Sequence, residues 1–136
     1  MEKFTQRGNN LVKLYNSFTV LDSLHINGAL TQGENTADFG GVAIAYDAFK
    51  LTKQGQDTTK IDGFTPDQRF FLSLAQIWRS KTTDAALRQQ VNTNPHSPGL
   101  FRVNGPLMNF EPFYKAFNVK EGDKMYIPDS SRVKIW

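Results

Sequence analysis

The chain contains no cysteine among its 136 residues, which excludes disulfide bonds and cysteine-ligated metal sites. It also lacks a signal peptide and an apolar run of transmembrane length, so no membrane segment is expected within it. Basic residues exceed acidic ones only by 16 to 13, and they cluster at most in pairs such as Arg79 with Lys81. Nucleic-acid binding usually needs a dense basic stripe, so no nucleic-acid partner is expected.

Aromatic residues are plentiful, with eleven Phe, four Tyr and two Trp, which favours a packed domain over a disordered segment. The length suits one domain, and no repeat or linker interrupts it. Apolar periodicity and caps predict a mainly α fold with short extended segments. The predicted helices are residues 3–16, 31–53, 65–81, 83–91 and 110–117, and the third is expected to start with Thr65 as its cap, Pro66 at the first helical position and Gln68 three residues after the cap. Residues 18–26 are predicted to be extended, residues 92–106 to form an ordered loop rich in Asn, Pro and Gly, and the tail to alternate through Val133 and Ile135 to Trp136.

Two acidic residues occupy an unusual place in the second predicted helix. Glu34 and Asp38 lie one turn apart at the start of a face that continues with small residues, at Ala37, Gly41, Ala45 and Ala48. Such a face is expected to pack closely against another element, and a buried carboxylate needs a cation or a hydrogen-bonding partner. The spacing also fits a simpler interpretation. Thr31 and Glu34 form a capping box, with Asp38 exposed beyond it, and spacing alone favours this second interpretation.

Four motifs, in order, resemble those of the neprilysin-type zinc metallopeptidases. GENTADFGG at residues 33–41 is similar to the family's G-E-N-x-A-D-x-G-G signature, and HING at residues 25–28 is similar to its H-x-N-G. FFLSLAQIW at residues 70–78 resembles F-F-L…A-Q-V-W, and HSPGLFR at residues 96–102 resembles H-S-P-G-x-F-R. Members of the family typically end on Trp, as Trp136 does here. The resemblance implies a helical subdomain of a zincin-type metallopeptidase.

The resemblance also implies roles for individual residues. Glu34 matches the third zinc ligand, and Asp38 matches the acid that holds a ligand histidine. His96 matches the catalytic histidine that stabilises the transition-state oxyanion, and Arg102 matches the arginine that binds a substrate carbonyl. Ile77 and Trp78 match the lining of the pocket for the side chain after the scissile bond. Without the motifs, a loop histidine or an arginine near aromatics is usually a surface residue, and Ile77 and Trp78 on an apolar stripe would be core.

The family's other two zinc ligands and its general base come from an H-E-x-x-H helix, and no such motif occurs in this chain. Residues 1–136 are therefore expected to be the C-terminal part of a catalytic domain, with Met1 an artificial start and zinc bound only by the longer parent. Relatives commonly have Asp where Asn94 stands, and a neutral amide orients an imidazole but supports its protonated form less. Arg79 and Val133 replace cysteines of vertebrate relatives, which favours a bacterial type.

The function expected from these residues is hydrolysis of internal peptide bonds by the parent enzyme, with the isolated chain inactive. The alternative is a non-catalytic module on the same scaffold that binds peptides or proteins. The expected partners are a peptide substrate and the upstream catalytic segment, and an apolar face exposed without that segment could pair two copies. A periplasmic or cell-envelope location is expected, with the cytoplasm as the alternative.

Overall fold

The computed structural model describes residues 2–134, with side chains from Phe4 to Lys134, so Met1, Ile135 and Trp136 lie outside the described residues. The fold is mainly α, as predicted. The described helices are α1 (Glu2–Asn16), α2 (Gln32–Lys50), α3 (Lys53–Gln56), α4 (Pro66–Ile77), α5 (Asp84–Thr93), α6 (Gly99–Leu107) and α7 (Glu111–Phe117). Strands β1 (Thr19–Leu21) and β2 (Leu24–His25) pair antiparallel where an extended segment was predicted, and Asp129–Ser131 forms a 3-10 turn.

The two predicted capping boxes have opposite outcomes. At α4 the hydroxyl of Thr65 accepts a hydrogen bond from the Gln68 amide, and the Gln68 side chain accepts one from the Thr65 amide, so this box is confirmed. At α2 the prediction is wrong, because Thr31 precedes the helix but makes no side-chain cap hydrogen bond. Its hydroxyl instead donates a hydrogen bond to the backbone carbonyl of Asn27 and accepts one from the side-chain amide of Asn35. Glu34 is therefore released from a capping role.

Helix boundaries differ from the sequence expectation at two places. The helix predicted to reach Lys53 ends at Lys50, and a short α3 begins after Thr52, whose hydroxyl accepts from the Gly55 amide. Gly55 thus lies inside a helical turn, and a glycine is needed there because a side chain would collide with the Phe49 carbonyl. Helix α4 ends at Ile77, four residues before the predicted limit at Lys81.

Helix α6 (Gly99–Leu107) occupies about half of residues 92–106, the segment predicted to be an ordered loop, so that prediction is wrong from Gly99 to Pro106. Burial of Phe101, Val103 and Leu107 outweighs the poor helix propensity of the glycine and proline residues. Gly105 is required there because a Cβ would overlap the ring and hydroxyl of Tyr15. Tyr15 also donates a hydrogen bond to the Phe101 carbonyl at 3.2 Å, which joins α1 to α6.

Helix α2 stands at the centre of the fold and contributes to both hydrophobic clusters. Phe39 packs with the cluster that includes Tyr15 and Phe101, while Val42 and Tyr46 pack with Phe71 and its neighbours. Burial, together with the nearby carboxylate of Asp67, raises the pKa of the Tyr46 hydroxyl to about 12. These inward residues recur at helical spacing, so one face of α2 is fully used by packing within the chain.

The opposite face of α2 is uncovered within the described residues. We call it the outer seam: it comprises Ala37, Gly41, Ile44 and Ala48 together with Leu51, which directly follows the helix, and Ile44 is 66% and Leu51 81% exposed. A Cβ added at Gly41 would meet no atom within 4 Å. The sequence predicted that the small residues of this helix pack closely against another element, and between Phe4 and Lys134 they do not.

Candidate active site

The structure brings Glu34 and His96 together although they are 62 positions apart in the sequence. The Glu34 Oε2 atom lies 3.0 Å from His96 Nε2, and both side chains are about half exposed, at 41% and 44%. Glu34 projects from the first turn of α2, where the helix N-terminus favours negative charge. His96 lies in the loop between α5 and α6. The pair is therefore accessible from solvent and combines a carboxylate with an imidazole.

The loop that carries His96 is fixed by its neighbours. The Asn94 side-chain oxygen accepts a hydrogen bond from the His96 backbone amide at 2.8 Å and lies 3.0 Å from His96 Nδ1. The Gln90 side chain in α5 donates to the His96 carbonyl at 3.3 Å. Asn94 thus contacts the imidazole on the side opposite Glu34, as the position of this amide in the sequence suggested.

Asp38 and Arg102 form a bidentate ion pair beside this site. The Nε and Nη2 atoms of Arg102 each donate to a different Asp38 oxygen at 2.7 Å, and the two side chains are only 16% and 13% exposed. The hydrogen bonds to Asp38 raise the pKa of the Arg102 guanidinium, which also stacks on Trp78 with 4.0 Å between its Cζ atom and the ring centroid. Asp38 was predicted to hold a ligand histidine. Among residues 4–134 its bonded partner is Arg102.

A cleft of about 520 Å³ unites four of the predicted site residues. Its lining includes His96, Arg102, Trp78 and Ile77, together with Leu87 and Leu100 on its rim. Ile77 is 74% exposed, so it is a surface residue at the end of α4 rather than a core residue. The cleft combines apolar walls with an imidazole and a guanidinium, which is the composition expected of a site for an amphipathic ligand.

The described part of the chain does not assemble a metal site by itself. No three His, Asp or Glu side chains between Phe4 and Lys134 are grouped so that they could hold a metal ion together. Glu34 nevertheless suits one ligand position, because its carboxylate is accessible and, unlike Asp38, is not committed to an arginine. Zinc with protein ligands needs at least three of them, so the remaining ligands would have to come from elsewhere.

Two residues beside the site had no assigned role. The Ser97 hydroxyl donates to the Asn35 side-chain oxygen at 2.8 Å, and both side chains are almost completely buried. Their positions next to His96 and Glu34 within two motifs were the only signal in the sequence. The HING segment also has a structural role, since Gly28 packs against the Val12 carbonyl and its amide donates to Asn16.

The family model described as peptidase family M13 matches residues 1–133. The chain belongs to peptidase family M13. An endothelin-converting enzyme homolog from Locusta migratoria is 41% identical over 92% of the chain, and Neprilysin-3 from Drosophila melanogaster is 36% identical over all of it. The predicted resemblance to neprilysin-type metallopeptidases is thereby confirmed.

Solved structures of M13 relatives share the fold. The zinc metalloprotease of Mycobacterium tuberculosis, solved with an inhibitor, matches 99% of the chain with a TM-score of 0.93 and 38% identity. A PepO structure from Lactobacillus rhamnosus matches the same share with a TM-score of 0.82 and 27% identity. The chain spans only 18% and 17% of the two relatives above and 22% and 20% of these two structures.

Proposed function

We propose that this M13 chain is the C-terminal part of a zinc endopeptidase that hydrolyses internal bonds of peptides. The contact between Glu34 and His96 at the edge of the cleft carries the proposal, because it places a solvent-accessible carboxylate 3.0 Å from an imidazole nitrogen that can donate a hydrogen bond. The relatives include neprilysins and a protein named as a zinc metalloprotease. Residues 1–136 are proposed to form one unit of a longer catalytic domain.

Each site residue has a chemical role in this proposal. Zinc, when bound, polarises the scissile carbonyl and makes a hydroxide available. Glu34 supplies one oxygen ligand, and His96, oriented by Asn94, donates a hydrogen bond to the oxygen on which negative charge develops. Arg102 fixes a carbonyl of the peptide through the N–H groups that Asp38 leaves free. Ile77 and Trp78 provide the apolar wall for the side chain that follows the scissile bond.

Removal of the metal tests this function in the full-length polypeptide. Treatment with a chelator is expected to stop cleavage of a mixed peptide pool, and stoichiometric zinc is expected to restore it, with products cut at internal bonds when read by mass spectrometry. The 136-residue chain alone is expected to retain no stoichiometric zinc in elemental analysis, since one carboxylate cannot hold it. Stoichiometric zinc in the isolated chain, or chelator-resistant cleavage by the parent, contradicts the proposal.

The non-catalytic alternative makes a different prediction about the upstream sequence. A peptide-binding module on this scaffold needs neither zinc nor an H-E-x-x-H motif, whereas the proposed enzyme needs both. Sequencing the gene upstream of residue 1 therefore separates the two functions. The proposed compartment is the periplasm or cell envelope, with the cytoplasm as the alternative. None of the helices in residues 2–134 has the length and hydropathy that a membrane crossing requires.

The outer seam of α2 is proposed to be covered by the upstream segment of the same polypeptide. Its members recur at spacings of four and three residues, as in a helix–helix seam, and two large apolar side chains on it are mostly exposed. The relatives are more than five times as long as this chain, so enough polypeptide is available in such a protein to cover it. Glu34 lies on the same side of α2, at its N-terminal end, so a segment that covers the outer seam would also lie next to Glu34, the proposed zinc ligand.

A charge placed on the outer seam tests this coverage. In the full-length protein, Ala48→Glu is expected to lower the free energy of unfolding by about 2 kcal/mol or more, because the new carboxylate would be buried without a partner. Thermal unfolding measures the loss, and Ala85→Glu on the exposed surface of α5 is the matched control, expected within about 0.5 kcal/mol of wild type. Equal effects of the two substitutions would argue against coverage. Light scattering then shows whether a second copy covers the seam instead.

A further inference from the structure

A buried hydrogen bond joins the helix that carries Glu34 to the loop that carries His96. The Ser97 hydroxyl donates to Asn35 Oδ1 at 2.8 Å, and the two side chains are only 2% and 1% exposed. Asn35 directly follows Glu34 in the chain, and Ser97 directly follows His96. The bond therefore connects the immediate neighbours of the two site residues across 62 positions of sequence.

The direction of this hydrogen bond is set by the groups behind it. The Thr31 hydroxyl donates its only hydrogen to the Asn27 carbonyl at 3.0 Å, so toward Asn35 it can only accept. The Asn35 amide must then direct Nδ2 to Thr31, at 2.9 Å, and Oδ1 to Ser97. Each polar atom in the chain of contacts has one role, and the amide cannot rotate by 180° without breaking a bond.

The side chains of Glu34 and His96 themselves have no comparable buried hydrogen bond within the described residues. Both are about half exposed, and each contacts the other at 3.0 Å, with Asn94 the further partner of the imidazole. Their relative position therefore depends on how firmly the backbone of α2 is held to the backbone of the His96 loop. The bond between Ser97 and Asn35 is the buried polar connection between these two segments, and it lies one residue away from both site groups.

We propose that Asn35 and Ser97 are positioning residues that hold His96 in register with Glu34. The kinetic part of this inference rests on the proposed peptidase function. Ser97 belongs to the lining of the cleft, but its hydroxyl hydrogen is donated to Asn35, so both residues act through their neighbours and not as reacting groups. Displacing a catalytic group by about 1 Å can reduce the rate about 100-fold, so loss of the bond is expected to lower turnover although zinc and substrate still bind.

Ser97→Ala in the full-length enzyme tests the proposal. The variant is expected to keep stoichiometric zinc and a KM within about twofold of wild type, while kcat falls about 10-fold to 100-fold. Ser17→Ala is the matched control, because Ser17 also donates its hydroxyl to a carbonyl, that of Leu14 at 2.6 Å, on an exposed turn. An unchanged kcat in Ser97→Ala, or an equal loss in Ser17→Ala, would overturn the proposal.

A double-mutant cycle separates positioning from a general loss of folding. If Ser97 acts through His96, Ser97→Ala should add little to the loss of kcat in an enzyme that already carries His96→Ala. Independent losses that multiply would contradict the proposal. If Ser97→Ala fails to fold, Thr31→Val probes the same chain of hydrogen bonds from its other end, because it removes the oxygen that accepts from Asn35 Nδ2. A severalfold loss of kcat at unchanged KM supports positioning, and an unchanged kcat opposes it.

A crystal structure provides a readout that does not depend on activity. In Ser97→Ala the His96 ring is expected to leave its wild-type position or to occupy several, relative to Glu34, under matched metal conditions. A ring that stays in place would contradict positioning even if the parent proves to be a peptidase. Conversely, a wild-type parent without zinc-dependent peptidase activity would refute the proposed function, and the ring position would still decide the role of Asn35 and Ser97.

Discussion

Glu34→Ala in the full-length polypeptide is expected to lose bound zinc and, with it, peptide hydrolysis. Glu34 is the accessible carboxylate at the site, and its Oε2 atom lies beside His96 at 3.0 Å. Altering a group that merely orients a metal ligand costs about 10-fold to 100-fold in metal affinity, so loss of the ligand itself should cost more than about 100-fold. Elemental analysis of the purified variant and a peptide-cleavage assay measure the two losses.

A suitable control removes a glutamate elsewhere on the surface. Glu111 on α7 is exposed, forms an i,i+4 ion pair with Lys115 at 2.8 Å and does not belong to the lining of the cleft. Glu111→Ala is expected to retain zinc and activity, since exposed pairs contribute about 0.5 kcal/mol or less. Full zinc content and activity in Glu34→Ala would refute the assignment of Glu34 as a ligand.

Arg102→Ala is expected to destabilise the protein by about 3 kcal/mol, because it leaves the largely buried carboxylate of Asp38 without its bidentate partner. The substitution also removes the guanidinium that stacks on Trp78 and reaches the cleft, so kcat/KM should fall together with stability. Urea-induced unfolding and steady-state kinetics measure these effects. The expected loss of stability follows from the Asp38–Arg102 ion pair alone and does not depend on the substrate.

The chain offers a second arginine–aspartate pair as a control. Arg88 and Asp22 form an ion pair whose side chains are 47% and 78% exposed. Arg88→Ala is expected to change stability by about 0.5 kcal/mol or less because water screens the pair. Removing both charges with Asp38→Ala and Arg102→Ala should recover part of the loss seen with Arg102→Ala alone. A loss no greater than that of Arg88→Ala would show that the buried pair contributes little.

Local sequence signals predicted those elements whose determinants are local. The cap of α4 depends on Thr65 and Gln68 alone, and the structure contains it as predicted. The similar pattern at Thr31 failed because its hydroxyl is recruited by Asn27 and Asn35. A side chain with competing tertiary partners does not follow its local motif, and those partners are visible only in three dimensions.

Helix α6 was missed for a related reason. Gly99, Gly105 and Pro106 are poor helix formers, so the segment resembles a loop when it is considered by itself. The helix forms because Phe101 and Leu107 are buried and because Gly105 lets Tyr15 approach the backbone. Here the residue that weakens the local pattern is the one that the packing requires.

The site was predicted from motifs, whereas its connections were not. Glu34, His96 and Arg102 were singled out by resemblance, and the structure places all three around one region. The bidentate bond from Arg102 to Asp38 and the bond from Ser97 to Asn35 each join residues more than sixty positions apart. These pairings depend on how α2 packs against α6 and the loop before it, and neither the composition nor the spacing of residues along the chain predicts that packing.

The bidentate pair has a further consequence for ligands that enter the cleft. A free arginine side chain loses about 2 kcal/mol of rotamer entropy when it becomes ordered on binding. Asp38 and Trp78 already hold Arg102 in one conformation, so this ordering has taken place during folding. The remaining N–H donors of Arg102 therefore stay in fixed positions. They bind a correctly aligned carbonyl group without a further entropy loss and do not reorient toward a misaligned one.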